Sequence, residues 1–578
     1  MDKIYEYKKN ENIRWIYNAT KPWHRNVLLL VIISVTNTIC TLRNAVYLRN
    51  LIDAATDRNR ELLLHTIGVM LVLMLIQVVL QTLSTYWANR TSFSIREGLQ
   101  FRLFETLIQK DYALVTEKHS GEWMNRIVSD TEGIANALAS MIPDVTGILI
   151  QVCGAAYLLF RITPGFIPLI LSAMAVFGVI TLVLREPIKQ RQRVLRDTEG
   201  NQRVFFTEHL SKLMIVKAFN REEIVTKNGK EHLEDVYRKQ MDRMSIVLWK
   251  WTAQDAAIRA AYLITVAYGA YEIFQGKITY GTLTMTLRLL TQIRTPILQI
   301  GNYITNAFDF IVSAERLREA ESYQNDPQIS VKSDTEIRDF YENQFTGIHF
   351  EDVSFSYYAN GNVDPESSTM MLSHIDLSIP KKACVGFTGV TGSGKSTLFK
   401  LMMCLYPVSE GKIMLRYGSG SEEELTAAYR RMFAYVPQGN QLMVGSIREV
   451  VTFGNKSDFN NDAAIWSALE ASCAKDFVEN LPNGLDTVIR ERGIGLSEGQ
   501  LQRIAIARAL FTQRPILLLD EATNSLDEST EEELLKHLKS MTDRTILIVT
   551  HRPNVVSICD CDVHIDGNNV EVRAVPQS

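Results

Sequence analysis

This sequence predicts a membrane α-helical domain of six transmembrane helices followed by a soluble α/β domain built around a phosphate-binding loop. Three observations lead there. Long uncharged runs recur through about the first 310 residues, the nonapeptide GVTGSGKST stands at 389–397, and the apolar run PILLL at 515–519 ends in the acids Asp520 and Glu521.

The membrane elements come first in the chain. Uncharged stretches run from Asn26 to Leu42, Thr66 to Asn89, Val145 to Phe160 and Ile162 to Leu184. The second and fourth cross ~30 Å of hydrocarbon at about 1.5 Å per residue, and the first and third need their flanks to do so. Two less pure spans are expected near Ile246–Phe274 and Tyr280–Ile311. Along the sixth, Thr284, Arg288, Gln292, Thr295, Gln299, Asn302, Asn306 and Asp309 recur in steps of four and three, so they share one helical face. In the fifth, Asp255 and Arg259 stand one turn apart and are placed to pair. Polar groups at membrane depth are costly when they face lipid, so this face is expected to line a water-filled cavity, with a packed polar seam between helices as the bland alternative.

Lysines and arginines in the first 25 residues precede the first apolar run with no evident cleavage site. They read as a cytoplasmic lead-in rather than a secretory signal. Six spans then return the chain to the cytoplasm, where ATP is found. Two charged excursions, about 90–132 and 185–245, extend the spans beyond the bilayer. The expected boundaries are a membrane domain over 1–320, a polar linker without helical periodicity over 321–345, and a soluble domain over 346–578. Residues 359–370 read as a surface insertion.

Composition narrows the partners. A net charge of −4 gives no sign of a nucleic-acid partner. Seven scattered cysteines lack metal-site spacing and are expected to be reduced.

In the soluble half, the apolar run 383–387, the glycine-rich turn and a helical pattern from Lys395 give strand, loop and helix in the order that phosphate binding needs. Backbone N–H groups of Gly389, Thr391, Gly392, Ser393 and Gly394 and the following helix N-terminus are suited to cradle phosphate oxygens. Lys395 neutralises the β- and γ-phosphates, and the Ser396 hydroxyl is a Mg²⁺ ligand beside Thr397. The run at 515–519 suits a central parallel strand covered on both faces. Asp520 then holds Mg²⁺, and Glu521 orients or deprotonates the attacking water. His551 follows a second such strand, 545–550, placed to meet the γ-phosphate.

GVTGSGKST, Val436–Gln438 (VPQ), Leu496–Gln500 (LSEGQ), LLLDEAT and the trailing histidine, in this order, resemble ATP-binding cassette transporters, and six spans before one cassette is their exporter-type half-transporter layout. The resemblance implies ATP and Mg²⁺ as ligands and hydrolysis coupled to transport. It implies Tyr357 as an adenine platform, and Gln438 as a sensor of Mg²⁺ and γ-phosphate and a link to the membrane domain. Ser497, Gly499 and Gln500 would bind the γ-phosphate held by the opposite cassette, so that the enzyme works as a dimer. Asp527 would meet that interface and Glu491 the membrane-domain helices. Segments 121–130 and about 207–215 resemble the helices that dock on the cassettes.

Two positions depart from the family pattern: Glu498 stands where glycine is usual, and Ser525 where alanine is common. A homodimer is favoured over a heterodimer with a related chain, though the altered signature suits either. The implied location is a plasma or inner membrane, with the N-terminus and cassette cytoplasmic. The reading is an exporter of a small molecule, lipid or peptide. An exporter-fold importer, for example of a metal chelate, and an ATP-gated non-pumping protein stay open. Arg259, Arg288 and Arg294 mildly favour an acidic or peptide-like cargo.

Overall fold

The computed structural model describes residues 2–578 apart from 327–331, 358–370, 419, 440, 454–457, 491–494, 567–568 and 575–578, and gives no side-chain surroundings for 2–10, 169–171, 173–174, 294–302 and 569. Glu491 and the insertion expected at 359–370 therefore lie outside the described residues. The chain divides into one unit of Met1–Phe104 with Met124–Glu319 and another of Glu105–Trp123 with Ala320–Ser578.

The first unit is helical throughout. After α1 (Asp2–Ala19), long helices α2 (His24–Thr56), α3 (Arg60–Ile108) and a continuous α5 (Ser120–Ile162) carry the first three expected spans. A short α4 (Tyr112–Thr116) intervenes, and two π-helical segments, Arg126–Asp130 and Ala137–Met141, interrupt α5. Next come α6 (Ile167–Ser211), a short α7 (Leu213–Ala218), α8 (Glu222–Phe274) and α9 (Tyr280–Ser322). The fourth span begins later than Ile162. Thr163 leaves helical geometry and Pro164–Phe166 form a 3₁₀ turn, because Pro164 starts a helix but cannot continue one.

Among the described residues, α2, α3 and α5 are long and apolar enough to cross a membrane by composition. On α3, Leu71, Val72, Met74, Leu75, Val78 and Val79 are all exposed. An apolar surface of that extent is what lipid requires of a spanning helix. The helices meet through Ala45, Ala155, Leu159, Met285, Leu289 and Ile293, small residues alternating with large ones.

The sixth-span face divides. Gln292 is buried, its Nε2 3.4 Å from the Thr41 carbonyl, while its own carbonyl accepts from Gln151 at 3.1 Å. Arg288, Asn306 and Asp309 are exposed and Thr284 is half-buried. The side chains of Arg294, Thr295, Gln299 and Asn302 lie outside the described residues. Asp255 and Arg259 do pair, at 2.5 Å.

In the second unit, an antiparallel sheet of β1 (Phe345–Phe355), β2 (Leu372–Pro380), β4 (Glu410–Tyr417) and β5 (Glu422–Glu424) runs in the order β2-β1-β4-β5. A mainly parallel sheet holds β3 (Cys384–Gly389), β6 (Phe433–Val436), β7 (Ile516–Asp520), β8 (Thr545–Val549), β9 (Cys561–Asp566) and β10 (Asn569–Ala574). Its order is β10-β9-β3-β8-β7-β6. Every residue of β7 and β8 is buried, as expected of strands covered on both faces. Phe350, Phe355, Phe387 and Phe399 fill one core cluster of the unit.

The expected featureless linker is corrected by α10 (Asp334–Asn343). Ser333 and Glu336 close a reciprocal capping box, and Ile337, Phe340 and Tyr341 bury one face. All seven cysteines are free thiols.

Neither segment expected to contact the cassette forms a helix of its own. Residues 121–130 belong to the long α5 run. The first three of them, 121–123, fall in the same unit as the cassette, together with 105–120, which includes α4. Lys110 Nζ donates to the carbonyls of Glu321 and Tyr323 and to Asn325 Oδ1, at 2.7, 2.6 and 2.8 Å. Tyr112 sets its ring edge against Tyr406, with centroids 5.6 Å apart. Within 207–215, residues up to Ser211 complete α6, and the separate short helix is α7.

Candidate functional site

Four strand ends and one helix start assemble the site. At the end of β3 the chain must turn sharply, and Gly389, Gly392 and Gly394 take φ values of 136°, 86° and 93°. At Gly389 a Cβ would lie 2.0 Å from the Ile565 carbonyl oxygen, so glycine is required there. The turn leads into α11 (Lys395–Met402), capped by Gly394 in the left-handed region.

Lys395 is buried, and its Nζ donates to the carbonyls of Gly389 and Val390 at 2.9 and 2.8 Å. The ammonium therefore sits within the loop. Burial pushes its pKa down, opposed by the charges of Glu521 and Asp520. Thr391 and Gly392 are exposed on the loop, while Ser393 and Thr397 are buried. Thr397 Oγ1 lies 3.0 Å from the Tyr357 hydroxyl, which fixes the half-buried Tyr357 ring beside the loop.

Asp520, at the end of β7, accepts from Ser396 Oγ at 2.8 Å and from the Tyr435 hydroxyl at 3.1 Å. Burial raises its pKa, and those two hydrogen bonds partly oppose the rise. A buried carboxylate flanked by hydroxyls is well suited to a small hard cation. Among the described residues no three His, Cys, Asp or Glu side chains cluster to hold a metal. Mg²⁺ at this point would take Ser396, Asp520 and the Gln438 carbonyl as oxygen ligands and need the rest from phosphate or water.

Glu521 leaves β7 with φ 50°. Its Oε2 accepts from Gln438 Nε2 and from Asn524 Nδ2, both at 2.8 Å, and His551 Nε2 stands 3.7 Å from Oε1. The three residues expected to act on water and γ-phosphate (Gln438, Glu521 and His551) are thus brought together. The charge of Glu521 is felt at both Lys395 and Asp520. The arrangement offers a cation for phosphate, a metal-ligand pair, and a carboxylate held between an amide and an imidazole.

Ser497 caps α12 (Glu498–Phe511) through a capping box with Gln500: its Oγ accepts from the Gln500 N–H at 3.2 Å, and Gln500 Oε1 accepts from the Ser497 N–H at 2.8 Å. Glu498 is exposed as the first helical residue. At Gly499 a Cβ would come 2.7 Å from the Ser525 carbonyl, so this glycine lets the turn after Glu521 approach. Among the described residues, no hydrogen bond joins Ser497, Gly499 or Gln500 to the 389–397 loop. Asp527 caps α13 (Glu528–Ser540) and accepts from Ser529 Oγ and from the Thr530 N–H and hydroxyl. Those bonds hold its pKa down at about 2.

Sequence reasoning missed Tyr435, Asn524 and Gln502. Tyr435 directly precedes the VPQ run and Asn524 directly precedes Ser525, so both border recognised positions. Only the fold shows that they reach the two acids.

The chain matches the family model of the ABC transporter transmembrane region over residues 27–297 and that of the ABC transporter over 372–524. It is 28% identical over 474 residues to the multidrug resistance ABC transporter ATP-binding and permease protein of Lactococcus lactis, covering 81% of this chain and 76% of that one. It is 26% identical over 576 residues to ABC transporter B family member 1 of Dictyostelium discoideum, covering 97% of this chain and 60% of that protein. Among solved structures, a bacterial Atm1-family ABC exporter with ATP bound superposes with a TM-score of 0.77 at 21% identity, over 96% of this chain and 95% of the other.

Proposed function

Given that this chain belongs to the ATP-binding cassette transporter family, as an exporter-type membrane domain fused to one cassette, we propose that it hydrolyses ATP to drive a small molecule, lipid or peptide out across a plasma or inner membrane. The observation that carries this reading is the joint placement of Lys395, Asp520, Glu521, Gln438 and His551 around one phosphate loop. A protein that only bound ATP would have no need of the carboxylate and imidazole.

Water attacks the γ-phosphorus, the bond to the bridging oxygen breaks, and ADP and phosphate leave. Lys395 balances phosphate charge, and Glu521 orients the water or takes its proton. Gln438 and His551 hold the γ-phosphate end of the site. Ser396, Asp520 and Gln438 would hold Mg²⁺, which would supply positive charge against the phosphates. Tyr357 supplies the adenine platform.

Two copies of the chain are the favoured assembly: the Ser497–Gln500 cap, which among the described residues makes no hydrogen bond to its own 389–397 loop, would serve the loop of a second cassette. The 105–123 segment, tied by Lys110 to the chain leaving α9 and by the Tyr112 ring to Tyr406 of the cassette, carries closure to the membrane helices. On α7 and just beyond it, Leu213, Met214, Ile215 and Phe219 are 49, 81, 50 and 72% exposed, and we assign them to docking on the second cassette.

Inside-out vesicles loaded with ATP outside test the direction. Accumulation of a fluorescent amphipathic dye that Glu521→Gln abolishes supports export. ATP-dependent loss of preloaded dye would indicate import.

A further inference from the structure

Gln502, on the second turn of α12, is 4% exposed, and its amide is committed at both ends. Nε2 donates to the Glu521 carbonyl at 3.2 Å. Oε1 accepts from the Ser525 N–H at 3.3 Å and, in a closer contact, from the Ser525 hydroxyl.

Glu521 needs such an anchor. A φ of 50° is unfavourable for a residue with a Cβ, which crowds the following carbonyl oxygen. Its N–H donates to the Val549 carbonyl at 3.0 Å, so with Gln502 both backbone groups of the residue are hydrogen-bonded. Asn524 reaches the same residue's carboxylate at 2.8 Å, and Arg552 Nη2 holds the Asn524 carbonyl at 2.8 Å.

We propose that Gln502 is a positioning residue for ATP hydrolysis. It fixes the backbone of Glu521 and locks the 524–525 turn to it, with the Ser525 hydroxyl as the second half of the link. Motion of that turn, which lies next to Asp527, then reaches the carboxylate as a change in its aim. The departure from alanine at 525 gains a function here: serine adds a donor to Oε1 that alanine lacks.

This inference rests on Glu521 being the hydrolytic carboxylate. The test is steady-state ATPase of the full chain in nanodiscs, with binding of trinitrophenyl-ATP and thermal unfolding measured alongside. Gln502→Glu keeps the acceptor for Ser525 but loses the donor to Glu521 at neutral pH, whereas Ser525→Ala keeps that donor and the residue-525 N–H and removes only the hydroxyl link. For Gln502→Glu we expect kcat to fall roughly 10- to 100-fold, the scale of a misaimed catalytic group. Nucleotide affinity should stay within about 2-fold, since Lys395 and the loop are untouched. Activity relative to wild type should recover as pH falls and the new carboxyl gains a proton to donate. Ser525→Ala should lower kcat less, again at constant affinity. Wild-type kcat in both variants, or a loss matched by equal losses in nucleotide binding and melting temperature, overturns the proposal. If the wild type itself does not turn over, it is the hydrolysis reading that fails. Gln502 is then judged by a structure of Gln502→Glu, in which residue 521 must leave the left-handed region.

Discussion

Replacing Glu498 by glutamine should pull two properties in opposite directions. The residue stands exposed in the first turn of α12, directly after the capping Ser497. A negative charge there is favourable to its own helix by about 0.3–1 kcal/mol. The same helix end is the one proposed to meet a γ-phosphate, which the carboxylate repels. At a separation of one helical turn plus one hydrogen bond, ~8 Å, each unit of phosphate charge costs about 0.5 kcal/mol in water-like surroundings and about 2 kcal/mol at an effective dielectric near 20. Removing the charge without changing side-chain length should therefore lower the KM for ATP roughly 2- to 30-fold. The melting midpoint should fall by roughly 1–4 °C as the helix loses its favourable charge. The affinity gain should shrink as salt rises, because the Debye length is only ~8 Å at physiological ionic strength. ATPase against ATP concentration in nanodiscs at low and high salt, with melting curves, reads all three. An unchanged KM at low salt would refute the electrostatic account of this position.

Gly389→Ala should destabilise the cassette by roughly 2–4 kcal/mol, since the new Cβ meets the Ile565 carbonyl at 2.0 Å where φ is already 136°; a cassette melting transition within 1 °C of wild type would contradict this. Tyr357→Leu should weaken ATP binding roughly 2- to 10-fold through loss of ring stacking, whereas Tyr357→Phe, which loses only the bond to Thr397, should cost less in a fluorescent-nucleotide titration. Asp527 has a folded pKa of about 2 against an ordinary 3.8, so its capping contribution is complete above pH 3.8 and declines as pH falls toward 2. The melting difference between wild type and Asp527→Asn should accordingly narrow on acidification below about pH 4, and a gap that widens there would reverse the assigned sign.

How much of this was legible in the sequence depended on the range of the interaction. The phosphate loop was readable because strand, glycines and helix lie within fifteen residues and each obeys a local rule. The run at 515–519 was readable because burial on both faces leaves no polar residue in it. The capping box at Ser333 and Glu336 was equally local, yet the polar composition around it masked a helix whose apolar face is only Ile337, Phe340 and Tyr341. The π-helical segments of α5 and the exchange of 105–123 into the cassette unit follow from packing, which no local pattern encodes. Gln292 shows the same limit. Its spacing placed it on a polar face, but only the fold reveals that it bonds Thr41 and Gln151 within the helix packing. Gln502 sits two residues past the signature, and nothing in that spacing shows that its amide reaches Glu521 and Ser525.

The central claim is that this chain alone assembles a working ATP site around Glu521. ATP turnover of the purified chain in nanodiscs, with Glu521→Gln as the blank, tests it most directly. Mg²⁺-dependent turnover is expected, removed by the substitution while ATP binding persists. Absence of turnover from a folded sample that binds ATP, or turnover that survives in Glu521→Gln, would contradict it.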